Sequence, residues 1–252
     1  MEKHISKLSE IVAEQYATVF LNDYLGGELF LGSEIEQILS EKAHVVYQAV
    51  DDPTYFGAAI HIVGEHIVAI NTKQSLRMRY YSAAHELWHL QFEAGEIPLA
   101  DFEDFDHERA ADRFAAAIML PAGLMRNLLN NLKENADTQI IKIADLSSMP
   151  YVAVTRRMRE LGHRLSRSIS SRTENEWIDL RQDLNISPSV LDKADAFTQF
   201  SDFSNEVNRR VENDQLTLEI AANLLRHIDS DQAEYYWQKR QEIMDEWTLA
   251  DD

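Results

Sequence analysis

Cysteine and long apolar runs are both missing from this chain of 252 residues. The lack of cysteine excludes a disulfide framework and a thiolate site. No apolar run approaches the roughly 18 residues of a membrane-spanning helix, so the sequence predicts none. The polar N-terminus, MEKHISKLSE, lacks the apolar core of a secretory signal. We therefore expect a cytoplasmic protein that does not enter a membrane.

Positive charge is scarce: the chain has 24 Lys and Arg against 43 Asp and Glu, a net charge of -19 at pH 7. Because phosphate contacts need Lys and Arg, this balance argues against broad binding to nucleic acid or to anionic membranes. The acidity either keeps the protein soluble or attracts a basic protein partner. Hydrophobic residues make up 45% of the chain, enough for a sizeable core in one large domain or one domain with an appendage.

Hydrophobic periodicity predicts helix and then sheet in the first part of the chain. Residues 4–25 have apolar side chains at helical spacing, and Gly26–Gly27 ends the predicted helix. A short second helix has Ser33 as its N-cap, with Glu36 three residues later as in a capping box. The runs HVVYQAV, GAAIHIVG and HIVAIN predict a small sheet of about three strands between residues 44 and 71.

The rest of the chain is predicted to be helical, which makes the fold class α+β and mostly helical. The predicted helices span residues 73–94, 104–120, 122–134, 138–147 and 150–161. The last two resemble a helix-turn-helix hairpin at about residues 138–162. Residues 166–252 predict three or four further polar helices, with 166–176 as the best candidate linker.

The stretch YSAAHELWHLQFEAGE, residues 81–96, carries two histidines on a predicted helix. His85 and His89 are four residues apart, so both imidazoles project from one face and can bind one ion. Glu86 lies beside such an ion, where it can take a proton from water that zinc has acidified. The spacing predicts a zinc-peptidase centre with Glu86 as the catalytic residue. Because this motif also occurs by accident, two ordinary histidines on an amphipathic helix are the alternative.

A catalytic zinc usually has three protein ligands and one open position, so a second segment must supply the third ligand. A histidine six residues after His89 is excluded, because position 95 is glycine. The segment HERAADRFAAAIMLP offers Glu108 as a metal ligand. Asp112, one helical turn later, can accept the spare N–H of a ligand histidine and fix its tautomer. The rival third ligands are Asp104, Asp106 and His107.

Three segments resemble the ImmA/IrrE family of metallo-endopeptidases: HELWH at 85–89, ERAADRFAAAIMLP at 108–121 and KIADLSSMPYVAVTRRMRELG at 142–162. The family pattern joins His-Glu-x-x-His to Glu-x-x-Ala-Asn/Asp-x-Phe-Ala, a Met/Leu-Pro end and a helical hairpin closing on Arg-x-x-x-Leu-Gly. The resemblance spans about residues 1–162. It implies a zincin-like, gluzincin-type peptidase domain over residues 1–165.

The resemblance also implies a ligand set and a class of substrate. His85, His89 and Glu108 match the family's metal ligands for one Zn²⁺ per chain, with Mn²⁺ as an alternative ion, and Glu86 matches its catalytic glutamate. Family members typically cleave a helix-turn-helix transcriptional repressor and so relieve repression in phage or mobile elements, in defence or in stress responses. The implied partner is therefore a protein substrate of that kind.

Residues 166–252 match nothing in the family, and we expect them to form a helical extension with a partner-binding or regulatory role. The extension's aromatic side chains form either its core or a binding surface. They are Trp177, Tyr235, Tyr236, Trp237 and Trp247. If they form a binding surface, the alternative function is a non-catalytic anti-repressor module that sequesters a regulator.

Two groups of charged residues near the predicted site, an acidic run and a set of arginines, each have two interpretations. The run at residues 93–106 has six acids and no Lys or Arg, so it is either a solvated loop or a border that attracts basic substrate segments. The hairpin arginines either face DNA or balance nearby acids, and the net charge favours the second, so direct DNA binding is not expected. These arginines are Arg156, Arg157, Arg159, Arg164 and Arg167. Spacing favours none of the candidate oxyanion residues, which are His61, His66, His163 and Tyr81.

Overall fold

The computed structural model of the chain describes residues 2–24, 30–62, 65–93, 105–226 and 228–250. Side chains are described for residues 7–22, 30–60, 66–91, 105–226 and 228–245. Some predictions lie outside the described residues. They concern the helix end at Gly26–Gly27, most of the acidic run at 93–106, the rival ligand Asp104, and the side chains of His61 and Trp247.

The N-terminal part follows the predicted order of helix and sheet. Its elements are α1 (Glu2–Tyr24), α2 (Glu34–Lys42), β1 (His44–Gln48), β2 (Gly57–Ile62) and β3 (Glu65–Asn71). The three predicted strands are therefore confirmed. The predicted capping box is wrong: Ser33 makes no side-chain cap hydrogen bond. Glu36 instead turns inward, where its Oε1 lies 2.8 Å from Nε of Arg79.

The five helices predicted for the middle of the chain are all present. They are α3 (Leu76–Glu93), α4 (His107–Met119), α5 (Ala122–Asn131), α6 (Ala136–Ser147) and α7 (Tyr151–Glu160). Their ends differ from the predicted ones by a few residues, because caps rather than periodicity fix helix ends. At α4 the Asp106 side chain accepts a hydrogen bond from the Arg109 amide at 3.0 Å, so the helix begins at His107.

The C-terminal part contains more structure than predicted. Its elements are α8 (Arg167–Ser170), α9 (Glu174–Asp183), a 3-10 turn (Val190–Asp192), β4 (Gln199–Phe200), α10 (Ser201–Glu212), α11 (Leu218–Leu225) and α12 (Ser230–Ala250). The linker prediction is wrong, because Ser166 caps α8 and Thr173 forms a capping box with Glu176 at α9. Among the described residues, no helix has the length and apolar character that a membrane crossing requires.

The sheet has the strand order β2-β3-β1-β4, which leaves β2 at one edge. Strand β1 runs parallel to β3, and β2 runs antiparallel to β3, with Ala58 opposite Ala69. Strand β4 pairs antiparallel with β1, with Phe200 opposite Val46. Periodicity did not predict β4, because two residues are too few to show an alternating pattern. The α+β class, mostly helical with one small sheet, is confirmed.

Helices α1, α3 and α4 share an aromatic core. Trp88 of α3 lies 5.7 Å from Phe114 of α4 between ring centroids, and Phe20 of α1 lies 5.6 Å from the same ring. All three side chains are buried. Each contributes about 1.5–3 kcal/mol by burial, so the backbone of α3 and α4 is held firmly on this side.

Core packing extends across residue 165, where the sequence predicts a domain boundary. That boundary stays a prediction. Trp177 of α9 is fully buried in the same core as α3 and α4. Arg77 of α3, also fully buried, donates from Nε to Asp192 at 2.6 Å. Helices α10 to α12 instead surround a separate small cluster. Its buried members are Val207, Ala221, Ala222, Leu225, Ala233 and Tyr236.

Candidate metal centre

Helices α3 and α4 bring the three predicted metal ligands together. The Nε2 atoms of His85 and His89, one turn apart on α3, are 3.2 Å from each other. Glu108, in the first turn of α4, has Oε2 3.4 Å from His85 Nε2 and Oε1 3.5 Å from His89 Nε2. In the part of the chain that the structure describes, these three side chains form the group whose ligand atoms converge within 4.8 Å.

The separations of these donor atoms fit a tetrahedral zinc ion. Zinc bonds of about 2.0–2.1 Å place neighbouring ligands of a tetrahedron about 3.3–3.4 Å apart. The observed separations of 3.2, 3.4 and 3.5 Å lie on both sides of that range. Two imidazoles and one carboxylate are also a donor set found at catalytic zinc. The three side chains can therefore hold zinc and leave a fourth position open.

Asp112 contacts the opposite nitrogen of His85. Its Oδ1 lies 3.3 Å from His85 Nδ1, and its Oδ2 accepts a hydrogen bond from Arg156 Nη1 at 2.5 Å. Burial raises the pKa of Asp112, but His85 and Arg156 outweigh burial and hold that pKa below its usual value. The ionised carboxylate therefore favours a proton on His85 Nδ1, which leaves Nε2 free to face a metal ion.

The two histidines differ in their electrostatic surroundings. Burial lowers the pKa of His85, but Asp112 and Glu86 outweigh burial and raise it. Burial and the neighbouring His85 both lower the pKa of His89. The proton that competes with a metal ion is therefore held more tightly at His85 than at His89.

The side chain of Glu86, a residue of α3, lies against the edge strand β2. Its side chain is buried, with 7% of the residue exposed. A Cβ on Gly57 would lie 3.3 Å from Glu86 Oε1 and 2.9 Å from the Ala69 carbonyl oxygen. Glycine at position 57 thus lets β2 approach the carboxylate closely.

A cavity of about 980 Å³, here called the central cavity, opens over these residues. Its lining includes the three candidate metal ligands as well as Glu86 and Asp112. Its lining also includes the segment 54–59, which leads into and forms the start of β2, and residues of α7 and α9. The candidate centre therefore lies in a cleft that runs beside β2, an edge strand of the sheet that the described residues form.

The rival third ligands have other contacts. Asp106 caps α4, and the His107 ring packs against Phe105 with centroids 4.8 Å apart. Neither residue belongs to the convergent group of donor atoms found among the described residues. Glu108 is thus the acid that the fold places opposite the two histidines.

The candidate oxyanion residues are dispersed. Tyr81 lines the central cavity, but its hydroxyl donates to the Asp112 carbonyl oxygen at 2.9 Å. His66 and His163 do not line that cavity. Tyr55, which no sequence pattern marked, does line it, and burial and the charge of Glu86 raise the pKa of Tyr55. A protonated phenol is therefore present in the same cavity as Glu86.

Two of the hairpin arginines are bound within the fold. Arg156 reaches Asp112, and the buried Arg157 donates to both carboxylate oxygens of Glu14 at 2.6 and 2.7 Å. Arg159, Arg164 and Arg167 are exposed. The hairpin thus uses Arg156 and Arg157 to join α7 to α4 and α1.

A family model matches residues 35–159: Peptidase_M78, the IrrE N-terminal-like domain, a family of metallopeptidases. Among solved structures, a Mycobacterium tuberculosis transcriptional regulator is similar with a TM-score of 0.41 and 16% sequence identity. The match covers 60% of this chain and 46% of that chain, so this chain spans less than half of the regulator's length. No curated protein matches the chain.

Proposed function

The chain belongs to the ImmA/IrrE family through its IrrE N-terminal-like domain, and we propose that it is a zinc-dependent endopeptidase. The observation that carries the proposal is the convergence of three donor atoms at 3.2 to 3.5 Å, in a cleft that also contains Glu86. We propose His85, His89 and Glu108 as the ligands of one Zn²⁺, with Mn²⁺ as an alternative ion. Asp112 orients His85.

The proposed chemistry divides between the ion and the protein. When bound, zinc would polarise the scissile carbonyl and acidify water. Glu86 acts as the general base that accepts a proton from the attacking water and then donates it to the leaving amine. The close packing of Glu86 against Gly57 excludes bulk solvent from one side of the carboxylate. Tyr55 supplies a hydroxyl that can donate to the developing oxyanion.

An extended stretch of protein is the substrate that the cleft suits. Strand β2 lies at one edge of the sheet that the described residues form, and we propose that a peptide laid along the cleft pairs with its outer backbone groups. From the family resemblance we propose a cytoplasmic helix-turn-helix repressor as the substrate. A basic, DNA-binding partner also complements a chain with a net charge of -19.

The test uses the purified chain, metal analysis and the small helix-turn-helix protein encoded nearest to its gene. Wild type is expected to hold about one zinc per chain and to cleave that protein. Glu86→Gln should keep the zinc and lose cleavage by at least about a thousandfold, because the proton acceptor is gone. Glu212→Gln, an exposed change on α10, is the matched control and should cleave like wild type.

A second candidate function is sequestration of the repressor without cleavage. The observation that favours it is the exposed apolar surface of α12, where Tyr235 is 51% exposed and Trp237 36% exposed. If wild type and Glu86→Gln relieve repression equally and no product forms, the binding-module function replaces the peptidase.

A further inference from the structure

One wall of the central cavity comes from a helix outside the family match. The match ends at residue 159, whereas Asn175 and Ile178 of α9 line the cavity together with Val152 of α7 and Met78 of α3. Trp177, which lies between Asn175 and Ile178 in the sequence of α9, is fully buried. Its burial fixes helix α9 in place. The substrate-facing surface of this chain thus includes a part that family membership does not specify.

The acids on this wall are already bound within the protein. Glu174 accepts hydrogen bonds from the amides of Tyr151 at 2.9 Å and Val152 at 3.1 Å, at the start of α7. Asp192 accepts from Arg77 Nε at 2.6 Å and from the Tyr151 hydroxyl at 3.0 Å. Both carboxylates therefore have less capacity left to pair with a basic substrate side chain.

What remains on this wall for an incoming group is mainly apolar. Val152 is 37% exposed, and Ile178 and Met78 are half-buried in the cavity lining. Phe56, just before β2 begins, also lines the cavity and is 40% exposed. Exposed apolar side chains in the lining of one cavity are stabilised most when an apolar group fills that cavity and removes them from water.

We propose that α9 and α7, together with Phe56 in the lining of the same cavity, form an apolar subsite that accepts a leucine-like or aromatic substrate side chain near the scissile bond. This inference rests on the proposed peptidase function and adds the class of side chain that the cleft selects. Ile178 is its specificity-determining residue, because it is the apolar side chain that α9 adds to the cavity lining. Glycine, or an acidic side chain, would leave the apolar walls in contact with water.

The test measures binding rather than turnover, with two small probes that share one zinc-binding group. The probes are the hydroxamates of acetyl-leucine and acetyl-glycine, titrated calorimetrically into the zinc-loaded wild-type chain. The leucine probe is expected to bind at least about tenfold tighter than the glycine probe. Ile178→Asn should reduce that ratio severalfold, whereas Ile220→Asn, the same change at an exposed position on α11, should leave it unchanged.

The outcomes separate this inference from the proposed function. Equal affinity of the two probes for the zinc-loaded wild type overturns the subsite and leaves the peptidase proposal standing. This wild-type comparison decides the matter even where Ile178→Asn does not fold. A ratio that survives Ile178→Asn in a folded protein removes Ile178 from the subsite. A wild-type chain that binds no zinc in metal analysis overturns the peptidase proposal and the subsite together.

Discussion

The helix pair α3–α4 and the helix pair α11–α12 are both joined through apolar faces, but they bury their aromatic residues differently. Trp88 on α3 is fully buried against Phe114. Trp237 on α12 is 36% exposed, and its neighbour Tyr235 is also exposed. The same residue types thus form core in one pair and surface in the other.

The difference follows from how many neighbours each pair has. Helices α3 and α4 are covered by α1 on one side and linked through Asp112 and Arg156 to α7. Helices α11 and α12 surround a cluster rich in alanine, including Ala221 and Ala222, which offers little apolar area. A metal site needs ligands that are held in place, and the packing around α3 and α4 holds their side chains. Helices α11 and α12 have fewer neighbours, so their aromatic side chains remain partly exposed at the surface.

The largest expected effect is the loss of the proposed zinc ion from the helix pair α3–α4. His89→Ala should weaken zinc binding by at least about a thousandfold, because one of the three proposed protein ligands is lost. In the wild type, zinc should slow hydrogen exchange in α3 and α4 and leave exchange in α11 and α12 unchanged. Competition with a chromophoric chelator measures the affinity.

The control for this change is the rival ligand. His107→Ala should retain zinc, because the His107 ring packs on Phe105 and stands outside the convergent donor group. Equal loss of zinc in the His107 and His89 variants would show that His107, rather than Glu108 alone, completes the ligand set.

The next effect compares one tryptophan from each pair. Trp88→Ala should lower the free energy of unfolding by about 3–5 kcal/mol, because a fully buried aromatic side chain leaves a cavity. Trp237→Ala should cost about 1 kcal/mol or less, since the ring is partly exposed and its Arg240 contact is a cation–π interaction at the surface. Urea denaturation measures both. A Trp237 variant as unstable as the Trp88 variant would contradict the contrast between the pairs.

The third effect concerns the ion pair that fixes α7 to α1. Glu14→Gln should destabilise the protein by about 3 kcal/mol, because Arg157 stays buried without its charged partner. Arg157 and Arg113 outweigh burial and lower the pKa of Glu14 from its ordinary value of 4.5. The contribution of Glu14 is therefore complete above that ordinary value and is lost as pH falls through the lower, folded value.

The measurement is the difference in unfolding free energy between wild type and Glu14→Gln across the acidic range. The difference should shrink as the pH falls below the ordinary glutamate pKa. Glu206→Gln on α10 removes a fully exposed pair with Arg209 and Arg210 and should change stability little. A pH-independent difference for the Glu14 variant would contradict the assignment.

Sequence patterns predicted the local features of this fold and missed the long-range ones. The spacing of His85 and His89 predicted that both imidazoles share one side of α3, because helical geometry fixes which side chains share a face. Spacing left Glu108 among several rival third ligands, and only the family resemblance singled it out; the structure brings it to the two histidines. Strand β4 and the cavity wall at Ile178 depend on contacts between distant parts of the chain, which periodicity does not encode. Tyr55 lies in a turn before β2 and had no periodic signal at all.

The smallest expected effect tests whether a residue beyond the proposed ligands and Asp112 also influences zinc binding. Arg156→Gln should weaken zinc binding about tenfold, because Asp112 loses the ion pair that helps to hold its carboxylate beside His85. Arg156→Lys should restore part of the affinity. The control is Arg159→Gln on the same helix, where the side chain is exposed, and zinc affinity should not change. The absorption spectrum of the Co²⁺-substituted protein should shift only in the Arg156 variants, since a loss of overall stability alone would leave the coordination geometry intact. An unchanged spectrum and an unchanged zinc affinity in Arg156→Gln would show that Arg156 does not influence the site, and that only the proposed ligands and Asp112 do.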